Sequence, residues 1–339
     1  MHQNEIFEED LLSISKGCEA FIKDLSNARI LLTGGTGFLG TWILFSLIDL
    51  NKNFSLSCEI VVISRNPEIF LSRYPFLIKI KDLKFVKSDI ADLPQDLGNF
   101  SHIIHGAADT LSSNKIRETV ILGTDNILRN YGNSNVDSLI FLSSGAIYGE
   151  QPKSVKKIKE DQEFSDKNSL LEPYAVAKRA AEINILKNKE IKNISIARCF
   201  AFLGPFMHFT SQFAIGNFIK SATEGKDIKL NTDGASIRTF LYAADFSIWI
   251  LKILLRGKHK LIVNVGSDIE MSIKEAAISV SKAINKDIKV ETNSKESTTR
   301  MRYVPSIEKA KEELDLEVWT NLDSAIRKTS LWYKQTILS

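Results

Sequence analysis

Eight residues, Thr33-Gly34-Gly35-Thr36-Gly37-Phe38-Leu39-Gly40, follow an apolar run at 29–32 and open a helix-like stretch at 38–50. Strand, glycine turn and helix in that order leave few folds open. Gly34, Gly37 and Gly40 are spaced by three. The first permits a tight turn, the second lets the backbone approach a pyrophosphate, and the third lets the helix pack against the strand. A helix starting at that point turns unpaired N–H groups and a positive dipole end toward the phosphates. Gly34, Gly37, Phe38, Leu39 and Gly40 are thus the expected contacts of a dinucleotide. A glycine loop with no ligand is the competing reading, and the strand–turn–helix context disfavours it.

The alternation continues. Apolar runs at 58–63, 83–86, 102–104, 138–142 and 194–197 read as strands, with helical spacing at 115–131 and 174–188. This pattern predicts an α/β fold built on a Rossmann-type, doubly wound parallel sheet. After Gly204 it loosens into helices at 217–224, 276–284, 306–314 and 322–333, with a short strand at 261–265. These later segments are expected to form a smaller C-terminal α+β substrate-binding lobe at the carboxyl edge of the sheet. The expected organisation is a helical extension (1–27), a cofactor-binding domain (28–204) and a mainly substrate-binding lobe with interleaved sheet elements (205–339). Leu11, Leu12, Ile14, Phe21, Ile22 and Leu25 give the extension an amphipathic helix, broken near Gly17 and packed on the outside of the domain.

Bulk properties exclude other classes. The chain has 339 residues and a net charge of +3, too small to argue for nucleic acid or a membrane surface. The most apolar stretch, near 246–255, is too short to span a bilayer and is interrupted by Lys252. Cys18, Cys58 and Cys199 are odd in number and widely spaced, so neither a disulfide framework nor a zinc site is expected. A soluble, cytoplasmic protein is the expectation.

The end of the second strand commonly separates NAD from NADP, because an acidic residue there accepts from the ribose hydroxyls. This chain has Ser64-Arg65-Asn66-Pro67 instead. A guanidinium can pair with a 2′-phosphate, so NADP(H) is favoured and NAD(H) remains possible. Arg65 stacking on adenine or facing water is the alternative. Asp89, with Ile90 beside it, follows the third strand and is placed either at the adenine edge or as a turn cap.

Tyr174 and Lys178 lie four apart behind Pro173, a residue suited to the first turn of a helix. That spacing puts both side chains on one helix face. A neighbouring ammonium and an oxidised nicotinamide both favour the phenolate, fitting Tyr174 to move the proton of an alcohol or ketone. Ser144, at the end of the fifth strand, is placed to hydrogen-bond the reacting oxygen. Ser144, Tyr174 and Lys178 are the candidate catalytic set.

These residues resemble the extended short-chain dehydrogenase/reductase family, in its sugar-nucleotide epimerase/dehydratase branch, over most of the chain. The resemblance is carried by the turn at 33–40, by His105-Gly106-Ala107-Ala108, by the serine strand end at 143–149 and by the Tyr174/Lys178 pair. The segments at 198–205 and 238–245, Asn264-Val265-Gly266-Ser267 and Arg302-Tyr303 extend it. The resemblance implies cofactor contacts at Ala107, Ala108 and Lys178. It also implies a nucleotide-sugar substrate whose diphosphate is held by Arg238, with Arg300 or Arg302 and Asn217 as weaker candidates. A homodimer through a four-helix bundle of the 115–131 and 174–188 helices is expected, with Ile116, Val120, Ile127 and Leu128 either forming its apolar stripe or packing on the sheet.

Departures from the family pattern bear on the reaction. Dehydratases of the family place an Asp-Glu pair directly after the catalytic hydroxyl, and a decarboxylase group needs the glutamate; here those positions are Gly145 and Ala146. Neither residue transfers protons. Val120 and Ala201 stand where relatives often have asparagine, which makes the pocket less polar. The expectation is a 4-ketoreductase of a nucleoside-diphosphate 4-keto-6-deoxy sugar. A nucleotide-sugar 4-epimerase with retained NAD is the alternative. An acyl thioester reductase and a non-catalytic cofactor-sensing relative are the outlying readings.

Overall fold

The computed structural model describes residues 5–108, 116–162, 172–209, 213–293 and 301–338. The first six strands are β1 (Arg29–Thr33), β2 (Glu59–Ser64), β3 (Leu83–Lys87), β4 (His102–His105), β5 (Ser138–Ser144) and β6 (Asn193–Cys199). Seven more follow: β7 (Phe202–Leu203), β8 (Ile228–Leu230), β9 (Ile237–Arg238), β10 (Leu241–Tyr242), β11 (Leu261–Val265), β12 (Met271–Ser272) and β13 (Val290–Thr292). The helices are α1 (Glu5–Cys18), α2 (Phe38–Asn53), α3 (Pro67–Arg73), α4 (Ile116–Tyr131), α5 (Pro173–Lys187), α6 (Ala214–Thr223), α7 (Ala243–Arg256), α8 (Ile273–Ile284), α9 (Glu308–Leu314) and α10 (Leu322–Thr336).

Seven strands form one parallel sheet in the order β3-β2-β1-β4-β5-β6-β11. Parallel neighbours need crossover helices, which cover both faces and explain why the central strands are apolar throughout. β5, for example, is buried along its whole length. Alternate strand residues feed two cores. Ile30 and Leu32 join a cluster with α1, α2 and α7, whereas Leu31, Ile103 and Phe141 join one with α4 and α5. The strand order reverses between β1 and β4, and the crevice outside their carboxyl ends is where such sheets take ligands. On the later side, α6, α8 and α10 pack on one another, while α7 and β11 return to the main sheet.

The strand at 261–265 is one of the interleaved sheet elements expected of the later segments, and it joins the main sheet beside β6. Other sequence expectations change. The apolar stretch at 246–255 belongs to α7, a helix buried over most of its length. α3 was missed. α1 runs unbroken through Gly17, since a Cβ there would stand 2.7 Å from Ile248 Cδ1. That glycine serves close packing of α1 on α7 rather than a break. Ile116, Val120 and Ile127 are core residues of the α4–α5 side, and the apolar side chains these helices expose are Leu122, Val176 and Ile183. No helix among the described residues is long and apolar enough to cross a membrane.

Candidate active site

A cleft of about 890 Å³ opens at the reversal point of the sheet. Its walls include Gly34, Gly37, Phe38, Leu39, Gly40, Arg65, Asp89, Ile90, Ala107, Ala108, Ser144, Tyr174, Lys178 and Arg238. These are segments far apart in sequence, brought together by the carboxyl ends of β1 to β6. Asn217 and Arg302 do not line it. Asn217 lies on α6, whose first residues Ala214 and Ile215 reach the wall. Arg302 is committed elsewhere: Nε donates to the Lys156 carbonyl at 2.7 Å and the guanidinium pairs with Glu270. Arg300 lies outside the described residues.

The glycine turn divides its glycines by purpose. Gly34 has φ +76°, and a Cβ on it would meet the Gly106 carbonyl carbon at 2.7 Å. At Gly40 a Cβ would fall 1.9 Å from Gly34 O. Both are required by the chain's own packing. Gly37 is different: its φ of −85° suits any residue, and a Cβ would come no closer than 3.5 Å to Gly34 O. Nothing among the described residues requires glycine there. The amino end of α2 also has no side-chain cap. Open space beside an uncapped helix start fits the pyrophosphate of a dinucleotide.

On the adenosine side, Thr36 Oγ1 and Ser64 Oγ lie 3.3 Å apart and tie the turn to the end of β2. Arg65 and Arg73 both reach the wall. Asp89 caps the short helical turn at Ile90–Asp92, its Oδ1 accepting from Ala91 N at 2.9 Å, and it also lines the cleft.

At the reacting end, α5 presents Tyr174 and Lys178. Lys178 is 1% exposed and its Nζ donates to the Leu142 carbonyl at 2.7 Å. Nζ stands 4.5 Å from the Phe141 ring centroid and 5.8 Å from that of Tyr174. Burial pulls the Lys178 ammonium down to about 8 and pushes the Tyr174 hydroxyl up to about 12. Tyr174 is a phenol at neutral pH, as a free tyrosine is, and burial together with Cys199 moves it further from ionisation. Behind them, Arg198 and Glu182 form a buried ion pair, with Nη2 2.9 Å from Oε2, that fixes α5 on β6. Ser143 donates to the same carboxylate.

Ser144 Oγ accepts from Ala146 N at 3.2 Å. The Tyr174 and Tyr303 hydroxyls lie close enough to Ser144 for it to favour their ionised forms slightly, against the larger effect of burial.

Sequence reasoning named Tyr303 only as a motif position. Its hydroxyl would lie 2.7 Å from a Cβ on Gly145, as would Phe200 Cζ. The two rings pack with centroids 4.6 Å apart and planes tilted by 35°, and the Arg238 guanidinium stands 6.0 Å from the Tyr303 ring centroid. The space a side chain at 145 would need is thus filled from β6 and from the segment before α9. Cys199 was missed too. It lines the cleft, with burial pushing its thiol up to about 12. No spacing rule in the sequence connects 145, 199 and 303. Arg238 Nη1 donates to the carbonyls of Ile237 (2.9 Å) and Met301 (3.2 Å), which aim the guanidinium along the wall.

Relatives agree with this geometry. The chain is 26% identical to dTDP-D-glucose 4,6-dehydratase of Mus musculus, covering 91% of this chain and 89% of that protein. Among solved structures, UDP-glucose 4-epimerase of Thermotoga maritima superposes with TM-score 0.76 at 20% identity, over 91% of this chain and 99% of that one. A dTDP-glucose 4,6-dehydratase of Bacillus anthracis in complex with NAD gives 0.75 at 22%, over 92% and 98%. Residues 30–266 match the model of the NAD dependent epimerase/dehydratase family. With that match over most of its length and a dinucleotide cleft at the sheet reversal, the chain belongs to this family and is a nicotinamide-dependent enzyme of the extended short-chain dehydrogenase/reductase type.

Proposed function

We propose that the protein reduces the 4-keto group of a nucleoside-diphosphate 4-keto-6-deoxy sugar, preferring NADPH. The observation that carries this reading is the filled space at Gly145. Water loss from a sugar needs groups that exchange protons with carbon beside the hydride site. Gly145 and Ala146 offer none, and Phe200 and Tyr303 occupy the volume from which a side chain at 145 would act. Hydride transfer at an oxygen-bearing carbon needs only Ser144, Tyr174 and Lys178.

When bound, the nicotinamide cofactor would supply a hydride for the carbonyl carbon. Tyr174, protonated at neutral pH, gives its hydroxyl proton to the carbonyl oxygen as the C=O π bond breaks. The ammonium of Lys178 stabilises the phenolate left behind. Ser144 orients the oxygen through a hydrogen bond from its hydroxyl. Arg238 holds a diphosphate oxygen through a charge-assisted hydrogen bond. Arg65 and Arg73 on the wall, with no carboxylate at the end of β2, support the 2′-phosphate of NADPH. Leu122, Val176 and Ile183 on the outer faces of α4 and α5 are the apolar side chains through which a homodimer would form.

The second reading, a nucleotide-sugar 4-epimerase that retains NAD, is favoured by the fold match to an epimerase and by the NAD-bound relative. Two measurements separate the readings. Mass spectrometry identifies any cofactor released on denaturation, and the stripped protein is titrated with NADPH and NADH. An empty protein that binds NADPH at least tenfold more tightly, and consumes it with dTDP-4-keto-6-deoxyglucose, supports the reductase. Retained NAD without NADPH preference overturns it.

A further inference from the structure

The two loops that flank the cofactor crevice are joined by a buried chain of hydrogen bonds whose polarity can be worked out from both ends. At one end, Thr124 Oγ1 on α4 lies 2.7 Å from the Val120 carbonyl. A carbonyl cannot donate, so the Thr124 proton goes to Val120 O and Thr124 is left to accept from His105 Nε2 at 3.1 Å. At the other end, Thr33 Oγ1 accepts from Ala107 N at 3.1 Å and shares the Gly106 N–H, also at 3.1 Å, with its own carbonyl. Its proton is free for His105 Nδ1, 2.8 Å away. Both ends give the same answer. His105 carries its proton on Nε2 and accepts at Nδ1.

An imidazolium does not fit this arrangement. It would donate to Thr33 and leave the Thr33 proton without an acceptor. It would also place a charge near Lys178, because the His105 ring packs on Phe141 (centroids 5.2 Å apart) and Phe141 carries the Lys178 Nζ on its ring. Burial, reinforced by Lys178, draws His105 down to about 3. The ring is fully buried, and so is Thr124.

The placement of the chain gives it a role. Thr33 begins the glycine turn, and Gly106 and Ala107 form the facing wall. The walls already touch: a Cβ at Gly34 would meet Gly106 C at 2.7 Å. We propose that Thr33, His105 and Thr124 form a neutral clamp, in one tautomer, that fixes the spacing of the two cofactor-binding loops, and that His105 is a positioning residue for the dinucleotide. The clamp rests on the family's nicotinamide dependence and not on the choice between reductase and epimerase.

Long-range ¹⁵N–¹H correlation spectra of histidine-labelled protein test the tautomer. His105 should show a protonated Nε2 and an unprotonated Nδ1, unchanged from pH 8 to pH 5. Averaging of the two nitrogens, or titration with an ordinary imidazole midpoint, would overturn the clamp. Its function is read from Thr124→Val, a position off the cleft wall, so any loss of cofactor affinity must travel through His105. With its Nε2–H deprived of an acceptor, binding of NADH and NADPH should weaken together by about tenfold, the effect of one unsatisfied buried donor. Thr124→Ser should restore it to within about threefold. Wild-type affinity in a folded Thr124→Val protein would also overturn the proposal. Failure of the reductase reading would instead appear as a preference between the two cofactors, which the clamp does not set. Should Thr124→Val not fold, the wild-type tautomer alone decides.

Discussion

The cofactor side and the substrate side of the cleft were read from the same sequence, with different outcomes. Every cofactor residue named from sequence, from Gly34 to Ala108, lies on the wall. On the substrate side Arg238 does, while Asn217 and Arg302 do not, and Tyr303 enters in a place no motif had given it. The centre of the cofactor side is a local object: one strand, one turn and one helix start, whose geometry is fixed by residues three apart, with Arg65, Asp89 and Ala107 joining it from the ends of β2, β3 and β4. The substrate side is assembled from segments near 144, 200, 238 and 303, which meet only through packing. Local spacing predicts the glycine turn and carries no information on how the distant segments meet.

The largest test of this contrast is Tyr174→Phe. It should lower turnover by about a thousandfold, in the range for a lost general acid, with cofactor affinity near wild type. Normal turnover would remove the role assigned to the α5 pair. Next come the glycines of the turn. Gly40→Ala must displace Gly34 O and should cost about 3 kcal/mol or more in denaturant unfolding. Gly37→Ala should leave stability within about 0.5 kcal/mol and weaken dinucleotide binding by about tenfold. Equal stability losses in the two variants would show that Gly37 serves the fold rather than the ligand.

A smaller effect compares two arginines. Arg238→Met should raise KM for the nucleotide sugar by about thirtyfold, as expected for a charge-assisted hydrogen bond. Arg302→Met, which breaks the link to Glu270 and Lys156, should change KM by less than about threefold. The reverse order would move the diphosphate site to the 302 segment.

The smallest concerns Lys178. Its ammonium is drawn down to about 8 in the folded protein, from 10.5, so the unfolded chain holds more protons between those values. Stability from this group therefore rises as pH climbs through that window. Lys178→Met should stabilise the protein by on the order of 1 kcal/mol at pH 7, with the gain fading toward pH 10, measured by denaturant titration at each pH. A constant gain would place the lysine in water rather than in the core. In the wild type, kcat/KM should fall as pH rises through about 8 and the ammonium is lost.

The helices teach the same lesson as the cleft. α4 and α5 were legible because apolar residues recur at helical spacing, yet spacing left open what those residues face. Ile116, Val120 and Ile127 face the sheet, and Leu122, Val176 and Ile183 stay outside. α7 is no less periodic than α4, and its apolar stretch at 246–255 is weighed in the sequence only against a bilayer span. Gly17 read as a break because a lone glycine weakens a helix. Contact with Ile248, more than two hundred residues away, gives it a packing purpose instead.

By itself, the sequence determined the doubly wound sheet, the glycine turn and the shared helix face of Tyr174 and Lys178, because each follows from backbone sterics and periodicities acting over a few residues. The tertiary structure decided the burial of Tyr174 and Lys178, the tautomer of His105, the commitment of Arg302 and the filling of the space at Gly145. Those depend on desolvation and on hydrogen-bond partners supplied by distant segments, and burial exists only once the chain has closed around the site.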